Sequence, residues 1–449
     1  MRRPFFMLPC LLSIAAPVAA EDMTAQVRSR ADQVEAKVIA WRRDIHEHPE
    51  LANREFRTSS LVARHLQALK FDEVRTQVAH TGVIGVLKGG KPGPVIALRA
   101  DMDALPVTER TGLPFASTVK AIRGDREVGV MHACGHDAHT AILMGAAEVL
   151  ASMRSEIAGT ILFLFQPAEE GAPDGEEGGA RLVLKEGALS GAYRPEAIFG
   201  QHVWPGEAGT VSYRARGQMA AADRLSITVT GAQSHGSQPW HGVDPVVTSA
   251  QIMLALQLIP SRQLDASKAP SVITIGQIEG GTASNIMPES VEMVGTIRTF
   301  DSEMREDLIA RVRRTAESIA ASAGAKAEVT VDPYAPVVYN DPDLVKRMEP
   351  TLRKASGGHL REMALVMGSE DFSHYMKDIP GLFVFLGVNM PEAERKGTVP
   401  DVHTPTFMLN EAALKQGVVT MSMLALDYLQ TAQPLPPGGE RSQVETSQR

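Results

Sequence analysis

Four segments of this chain, residues 83–87, 95–100, 159–165 and 196–202, are apolar almost from end to end. A strand with one wet face alternates apolar with polar residues. A run without alternation is a strand covered on both faces, and residues 95–100 are apolar enough to predict the centre of a sheet. The covering layers are legible as helices. Val34, Val38 and Trp41, then Leu61, Val62, His65 and Leu66, recur at three- and four-residue intervals within residues 22–70. Residues 137–153 form an Ala-rich helix with Ile142, Leu143, Ala146, Val149 and Leu150 on one face. Strands alternating with helices predict a doubly wound α/β layer on a mixed sheet.

Residues 213–331 break this pattern. Strand 224–230, helix 245–259, strands 271–278 and 291–299, helix 303–323 and strand 326–331 follow one another. Asp301 or Ser302 caps the second helix and Gly324 closes it. The order β-α-β-β-α-β is that of a ferredoxin-like α+β unit. It predicts a small domain inserted into a larger one, which resumes near residue 335 with a strand at 382–386 and a final helix at 411–429. A chain of 449 residues is long enough for two such cores. The expected division is an export signal over 1–20, the larger domain over 21–212 and 332–430, the inserted domain over 213–331, and a polar, disordered tail over 431–449.

With 44% hydrophobic and 22% charged residues the chain has the composition of a soluble globular protein, and its formal charge of −8 argues against a nucleic-acid partner, which would select a basic face. Arg2 and Arg3, an apolar stretch over 5–16, and Val18, Ala19 and Ala20 read as an export signal cleaved near Ala20, which implies a periplasmic protein. The apolar stretch is too short to span a bilayer, and the mature chain is expected to have no membrane span. The paired arginines are compatible with Sec or twin-arginine export. Cleavage would remove two positive charges and Cys10, leaving Cys134 as the single thiol, with no intramolecular disulfide. Such a thiol needs protection from oxidation, by burial or by a metal.

The run Met131-His132-Ala133-Cys134-Gly135-His136-Asp137-Ala138-His139 crowds a thiol, three imidazoles and a carboxylate into nine residues. Cys134 and His136 precede the predicted helix, whose positive end favours a thiolate. A loop that turns into a helix cannot aim all three imidazoles at one point, so two metal ligands are expected from this run. A Cys134 nucleophile activated by an imidazole is the rival reading. Glu169 and Glu170 follow strand 159–165, at the edge where open α/β sheets place their sites. As adjacent extended residues they are expected to point opposite ways, one to a metal and one to a substrate. His202, at the end of a strand, and His403, in Asp401-Val402-His403-Thr404-Pro405, are each a ligand or a hydrogen-bonded neighbour. Asp101 and Asp103 can ligate, orient or cap, and the acidic loop Gly368-Ser369-Glu370-Asp371-Phe372 can orient ligands. In the inserted domain, His235, Asn285 and Arg298 are candidates for gripping an anion or oxyanion. Thiolate with imidazoles suits Zn²⁺, and Mn²⁺, Co²⁺ and Ni²⁺ are compatible with the same donors.

Taken together these motifs resemble those of the M20 metallopeptidases, specifically the amidohydrolase branch of bacterial aminoacylases, hippurate hydrolases and plant auxin-conjugate hydrolases. The matching stretches are 42–51, 100–106, 131–139, 166–171, 202–205, 234–239, 280–288, 368–372 and 403–405, in the family's order. The resemblance implies two divalent ions per subunit, Zn²⁺ or Mn²⁺ ahead of Co²⁺ or Ni²⁺. Cys134 would bridge them, His136, Glu170, His202 and His403 would complete the shells, and Glu169 would be the general base. The wider family has a His ligand where this chain has Asp101, and a bridging Asp where it has Cys134. Asp101 and Asp103 are therefore left outside the shells. The inserted domain is implied to be a lid that also forms a homodimer or higher oligomer, with His235 reaching an active site, in many members that of the partner subunit.

The reaction so implied is hydrolysis of a small-molecule N-acyl-L-amino acid (N-acetyl, N-benzoyl or aryl-acyl) to a carboxylic acid and a free amino acid. The metals would lower the pKa of water, Glu169 would take and return its proton, His235 would steady the oxyanion, and Asn285 and Arg298 would hold the substrate carboxylate. A metallo-carboxypeptidase or dipeptidase would use the same centre. Outside enzymes, a periplasmic binding protein that kept the fold is the remaining reading.

Overall fold

A computed structural model describes residues 22–431; the expected export signal, and all but the first residue of the expected tail, lie outside them. Strands β1 (Glu73–Val78), β2 (Gly82–Lys88), β3 (Lys91–Asp101), β4 (Ala158–Gln166), β5 (Ala197–Trp204) and β6 (Val211–Tyr213) come before the inserted unit. Strands β7 (Ala221–Thr230), β8 (Ser271–Glu279), β9 (Ser290–Thr299) and β10 (Lys326–Ala335) belong to it. Strands β11 (Leu360–Glu362) and β12 (Gly381–Gly387) follow. The first and third groups join in one eight-stranded sheet, in the order β1-β2-β4-β3-β5-β12-β6-β11. Strands β4, β3, β5 and β12 are parallel, while the β1–β2, β2–β4 and β12–β6 pairs are antiparallel, so the sheet is mixed. The runs without alternation are the buried strands, and β3 lies in the interior of the sheet, as its sequence predicts.

Helices α1 (Met23–Glu47), α2 (Phe56–Ala68), α3 (His136–Ser152), α4 (Gly179–Lys185), α5 (Pro245–Leu256), α6 (Ser302–Ser322), α7 (Pro342–Ala355) and α8 (Leu414–Gln430) supply the layers. Val38, Val62, Leu143, Leu352 and Leu424, from α1, α2, α3, α7 and α8, pack on one face of the sheet against Ile96, Leu98, Phe163 and Phe199. Val183 of α4, with Phe372 and Tyr375, packs on the other against Ala97, Leu162, Ile198 and Phe383. Strands β2, β3, β4, β5 and β12 thus lose both faces to the layers that cover them, which is the physical reason their sequences do not alternate. No element was predicted at α7. Its start is nonetheless well marked: Asp341 accepts from the Asp343 and Leu344 N–H groups and Pro342 opens the first turn, while Pro350 inside the helix breaks the pattern.

The inserted unit is an antiparallel sheet in the order β8-β9-β7-β10, with α5 and α6 on one face around Ile227, Met293, Ile252 and Leu308. This is the ferredoxin-like order. Asp301 caps α6 by accepting from Met304 N–H, and Gly324 ends it with φ 76°. Strand β10 continues to Ala335, which carries Tyr334 toward the larger sheet. Among the described residues no helix is long and apolar enough to cross a membrane. Parallel strands β3, β4 and β5 end together, at Asp101, Gln166 and Trp204, and the functional loops spring from that edge.

Candidate metal centre

Beyond those strand ends the side chains of Cys134, His136, Glu169, Glu170, His202 and His403 converge. Cys134 Sγ lies 3.4 Å from His202 Nε2 and 3.2 Å from His403 Nε2. His403 Nε2 is 3.0 Å from Glu170 Oε1, and His136 Nε2 is 4.0 Å from Glu169 Oε2. Two groups of potential ligand atoms, Cys134–His136–His202 and Cys134–Glu170–His403, each fall within 4.8 Å and have the sulfur in common.

Local geometry explains the convergence. Gly135 has φ 92° and turns the chain from Cys134 into α3; a Cβ there would stand 2.3 Å from Val203 Cγ2, so the position requires glycine. Asp137, in the first turn of α3, faces away from the cluster. Arg42 Nε donates to its Oδ2 at 2.8 Å and His46 Nδ1 lies 2.8 Å from the same oxygen, tying the start of α3 to α1. Burial would raise the Asp137 carboxyl, but Arg42 and His46 hold it far below the usual carboxylate range.

Glu169 and Glu170 do not continue the strand, contrary to the expectation of alternating extended residues. Strand β4 ends at Gln166, and the pair sits in a turn behind Ala168, whose φ of 54° is held by its N–H donating to Glu55 Oε1 at 2.9 Å. In a turn the alternation does not apply, and both carboxylates approach His136. Asp103 clamps them. Its Oδ1 accepts from Glu169 N–H at 3.0 Å and its Oδ2 from Glu170 N–H at 2.9 Å, while His136 Nδ1 sits 3.2 Å from Oδ1.

The hydrogen-bond partners decide which lone pairs are free. His139 Nε2 accepts from Val203 N–H at 2.8 Å, so its proton is on Nδ1, which donates to Asp101 Oδ1 at 2.6 Å. Both nitrogens are used and His139 is excluded as a ligand. His202 Nδ1 donates to the Val203 carbonyl at 2.5 Å and so presents a bare Nε2 to the cluster, whereas His136 Nδ1 donates to Asp103 and its Nε2 is bared only when a cation displaces the proton that Asp101 and Asp103 favour on the ring. His136 Nε2 is buried without a hydrogen-bond partner. A buried polar atom left so is costly unless something else satisfies it. Sulfur, imidazole nitrogen and carboxylate donors in this arrangement fit divalent metal ions.

Electrostatics agree. Burial, with Glu170 and Glu169 close by, pushes the Cys134 thiol well above its usual range, opposite to the expectation drawn from the helix end alone. The protein's own groups therefore keep the thiol protonated, which argues against a cysteine nucleophile; a thiolate here requires a cation. Burial alone would lower His136, but Asp101 and Asp103 raise it to about 10. Burial, then Glu370 and Glu170, lift the Glu169 carboxyl well above the usual range, giving it a high proton affinity.

Three residues that matter here were not singled out from sequence. Arg99, buried in β3, claims the remaining acids: it lies 2.5 Å from Asp101, 3.0 Å from Glu370 and 2.9 Å from Asp371, so these three balance a guanidinium. Glu55 supports the turn at Ala168. Tyr334, from β10, donates to the Glu169 carbonyl at 3.4 Å.

A cavity of about 370 Å³ opens over the cluster and is lined in part by Cys134, Glu169, His403, Tyr334 and Arg298. Arg298, on β9, has a buried Nη1 without a hydrogen-bond partner. The structure thus brings Arg298 to the centre. It does not bring His235 and Asn285 there: both are exposed on the inserted unit. They are neighbours of one another, since Gly236 N–H donates to the Asn285 carbonyl at 2.8 Å. His235 Nδ1 accepts from Ser237 N–H at 3.0 Å, which leaves Nε2 to carry the ring proton.

The sequence model of peptidase family M20/M25/M40 matches residues 97–427. The chain is 39% identical over 396 residues to N-acetylcysteine deacetylase of Bacillus subtilis (strain 168), covering 88% of this chain and 97% of the relative. It is 37% identical over 411 residues to thermostable carboxypeptidase 2 of Saccharolobus solfataricus, covering 91% and 99%. Among solved structures, a dinuclear metal binding peptidase from the M20 family of Bacillus subtilis aligns with a TM-score of 0.75 at 37% identity, over 89% of this chain and 100% of that one.

Proposed function

This chain belongs to peptidase family M20/M25/M40, and from that premise we propose that it is a dinuclear-metal amidohydrolase, cleaving N-acyl-L-amino acids to a carboxylic acid and a free amino acid. The observation that carries the proposal is the sulfur common to two ligand groups. In this reading Cys134, His136 and His202 would hold one ion, and Cys134, Glu170 and His403 would hold the other. Zn²⁺ and Mn²⁺ suit these donors best, with Co²⁺ and Ni²⁺ next. When bound, the ions would lower the pKa of water and polarise the acyl carbonyl.

Glu169 takes the proton of the attacking water and passes it to the leaving amine. Arg298 holds the carboxylate of the amino acid through its unpartnered Nη1. His235 and Asn285 complete the oxyanion and carboxylate contacts by reaching the site of a second subunit. The proton on His235 Nε2 supports this role, since an oxyanion needs a donor. Exposed Trp240, Val246, Val247, Leu254 and Leu258, with the edge strand β8, support an oligomer built through the inserted lid. Export to the periplasm, with cleavage near Ala20, belongs to the same proposal.

The likeness to thermostable carboxypeptidase 2 favours one second reading: Arg298 would hold a peptide's terminal carboxylate, and the bond cut would be peptidic. Metal-reconstituted protein assayed on N-acetyl and N-benzoyl amino acids and on dipeptides separates the two. Glu169→Gln tests the chemistry: metal content should be kept while kcat falls by about 10²–10⁴-fold. Wild-type turnover in that variant would refute the role of Glu169.

A further inference from the structure

We propose that residues 42–55 form a strap that sets the spacing of the two ion sites: Arg42 and His46 position Cys134 and His136 through Asp137, and Glu55 positions Glu169 and Glu170 through Ala168. The inference rests on the dinuclear reading, and it gives a role to residues 42–51, the first of the matching stretches, which that reading leaves unused. The strap runs from the last turns of α1 to the N-cap of α2. A connection between two helices ordinarily turns its polar groups to water. Here Arg42, His46, Asn53 and Glu55 are all buried, and each meets a segment that carries proposed ligands or continues from one.

At the first end, Arg42 Nε and His46 Nδ1 both reach Asp137 Oδ2, at 2.8 Å each. Asp137 follows His136 directly, and the tight turn at Gly135 joins them to Cys134. A shift of this carboxylate therefore moves the sulfur common to both ligand groups. In the middle, the Glu50 carbonyl accepts from Ala104 N–H at 2.8 Å, next to the Asp103 clamp. The Glu50 carboxylate accepts from Arg57 and Thr58 N–H, at 2.9 Å each, which pins the strap to the start of α2. At the second end, Glu55 Oε1 accepts from Ala168 N–H at 2.9 Å, and Thr81 Oγ1 donates to Oε2 at 2.5 Å and fixes the carboxylate. Asn53, with φ 60°, donates through Nδ2 to the Glu177 carbonyl at 3.0 Å, where the loop beyond Glu170 returns. Stability alone does not call for these groups, because apolar side chains of similar volume often replace a buried ion pair at no loss. What a satisfied polar network adds is a unique arrangement. The two ends act on different ligands. The first moves the shared sulfur and so both ions; the second moves Glu170 and so one.

Titration of the metal-free full chain with Zn²⁺ against a chromophoric chelator reads the two ions separately. His46→Leu should weaken both, and Glu55→Leu only the ion that Glu170 holds, each by about tenfold, the low end of what the partners of metal ligands are worth. His46→Asn keeps an N–H donor for Asp137, and Glu55→Gln keeps an acceptor for Ala168 N–H, so both should restore the lost affinity. A strap that merely stabilised the fold would lower urea midpoints and weaken both ions equally in either leucine variant. Should a leucine variant not fold, Arg42→Lys and Thr81→Val carry the same two patterns. Affinities within about twofold of wild type, equal loss at both ions in both variants, or asparagine and glutamine that do no better than leucine would overturn the strap while leaving the dinuclear centre intact. A wild-type chain that binds fewer than two Zn²⁺ would sink the dinuclear reading and the strap with it.

Discussion

Replacing Asp103 by asparagine exchanges one carboxylate oxygen for an NH₂ group and leaves the shape unchanged. The carboxylate has three donors around it: Glu169 N–H and His136 Nδ1–H at Oδ1, and Glu170 N–H at Oδ2. An amide nitrogen in place of Oδ1 would confront two of them; in place of Oδ2 it confronts one, so the second orientation wins. The Glu170 N–H then loses its acceptor, a cost of about 1–3 kcal/mol for a buried donor, and the two surviving bonds lose their charge assistance. The cost falls on Glu170 and on the tautomer of His136, both proposed ligands. Partners that orient metal ligands are worth about 10–100-fold in affinity, or about 1.4–2.8 kcal/mol, which is the same size. Metal-free Asp103→Asn, titrated with Zn²⁺ or Mn²⁺ against a chromophoric chelator, should therefore bind about 10–100-fold more weakly than wild type. Turnover at saturating metal should fall as well, because Glu169 hangs from the same clamp. Circular dichroism of the metal-free chain checks that the fold survives. Affinity within twofold of wild type, with turnover unchanged, would refute the reasoning.

Two further substitutions probe the support of the site. Arg99→Met leaves Asp101, Glu370 and Asp371 without their common counter-ion, and urea unfolding should show a loss of about 3–5 kcal/mol; an unchanged midpoint would mean that these acids do not depend on it. Burial and Asp103 push the Glu55 carboxyl up to about 8, so between the ordinary carboxylate range and that value the folded chain keeps a proton that the unfolded chain releases. Stability of the metal-free protein should then fall as pH rises through this window, by up to about 1.4 kcal/mol per unit, and Glu55→Gln should flatten the fall. Urea midpoints across the window that track wild type in the variant would remove Glu55 as the cause.

The sequence displayed the candidate ligands well because they come in short contiguous runs at strand ends. Cys134 with His136, and Glu169 with Glu170, announce themselves locally, and the carboxyl edge of a parallel sheet says where they should meet. Roles among near-equivalent residues were not legible. His136 and His139 are three apart at the start of one helix, and only Val203 N–H, contributed by β5, takes the second out of contention. Asp101 and Asp103 are two apart, and their division of labour is set by partners 38 and 66 residues away. Arg99 did carry a signal: a charge inside an otherwise apolar strand must be paired. Tyr334 carried none, because the carbonyl it reaches is 165 residues distant. The pair Glu169–Glu170 was found for an incorrect reason, since a turn and not strand alternation aims it.

Asp371 meets Arg99 across 272 residues of chain, and β12 slots between β5 and β6 in the sheet interior although the whole inserted unit is translated before it. A nascent polypeptide leaving the ribosome therefore has every strand and helix of the inserted unit in hand while Arg99 still has Asp101 as its single acid among these three. The last stretch to be synthesised is the keystone: until it arrives, the oldest part of the molecule holds an open seam where the reaction centre will be.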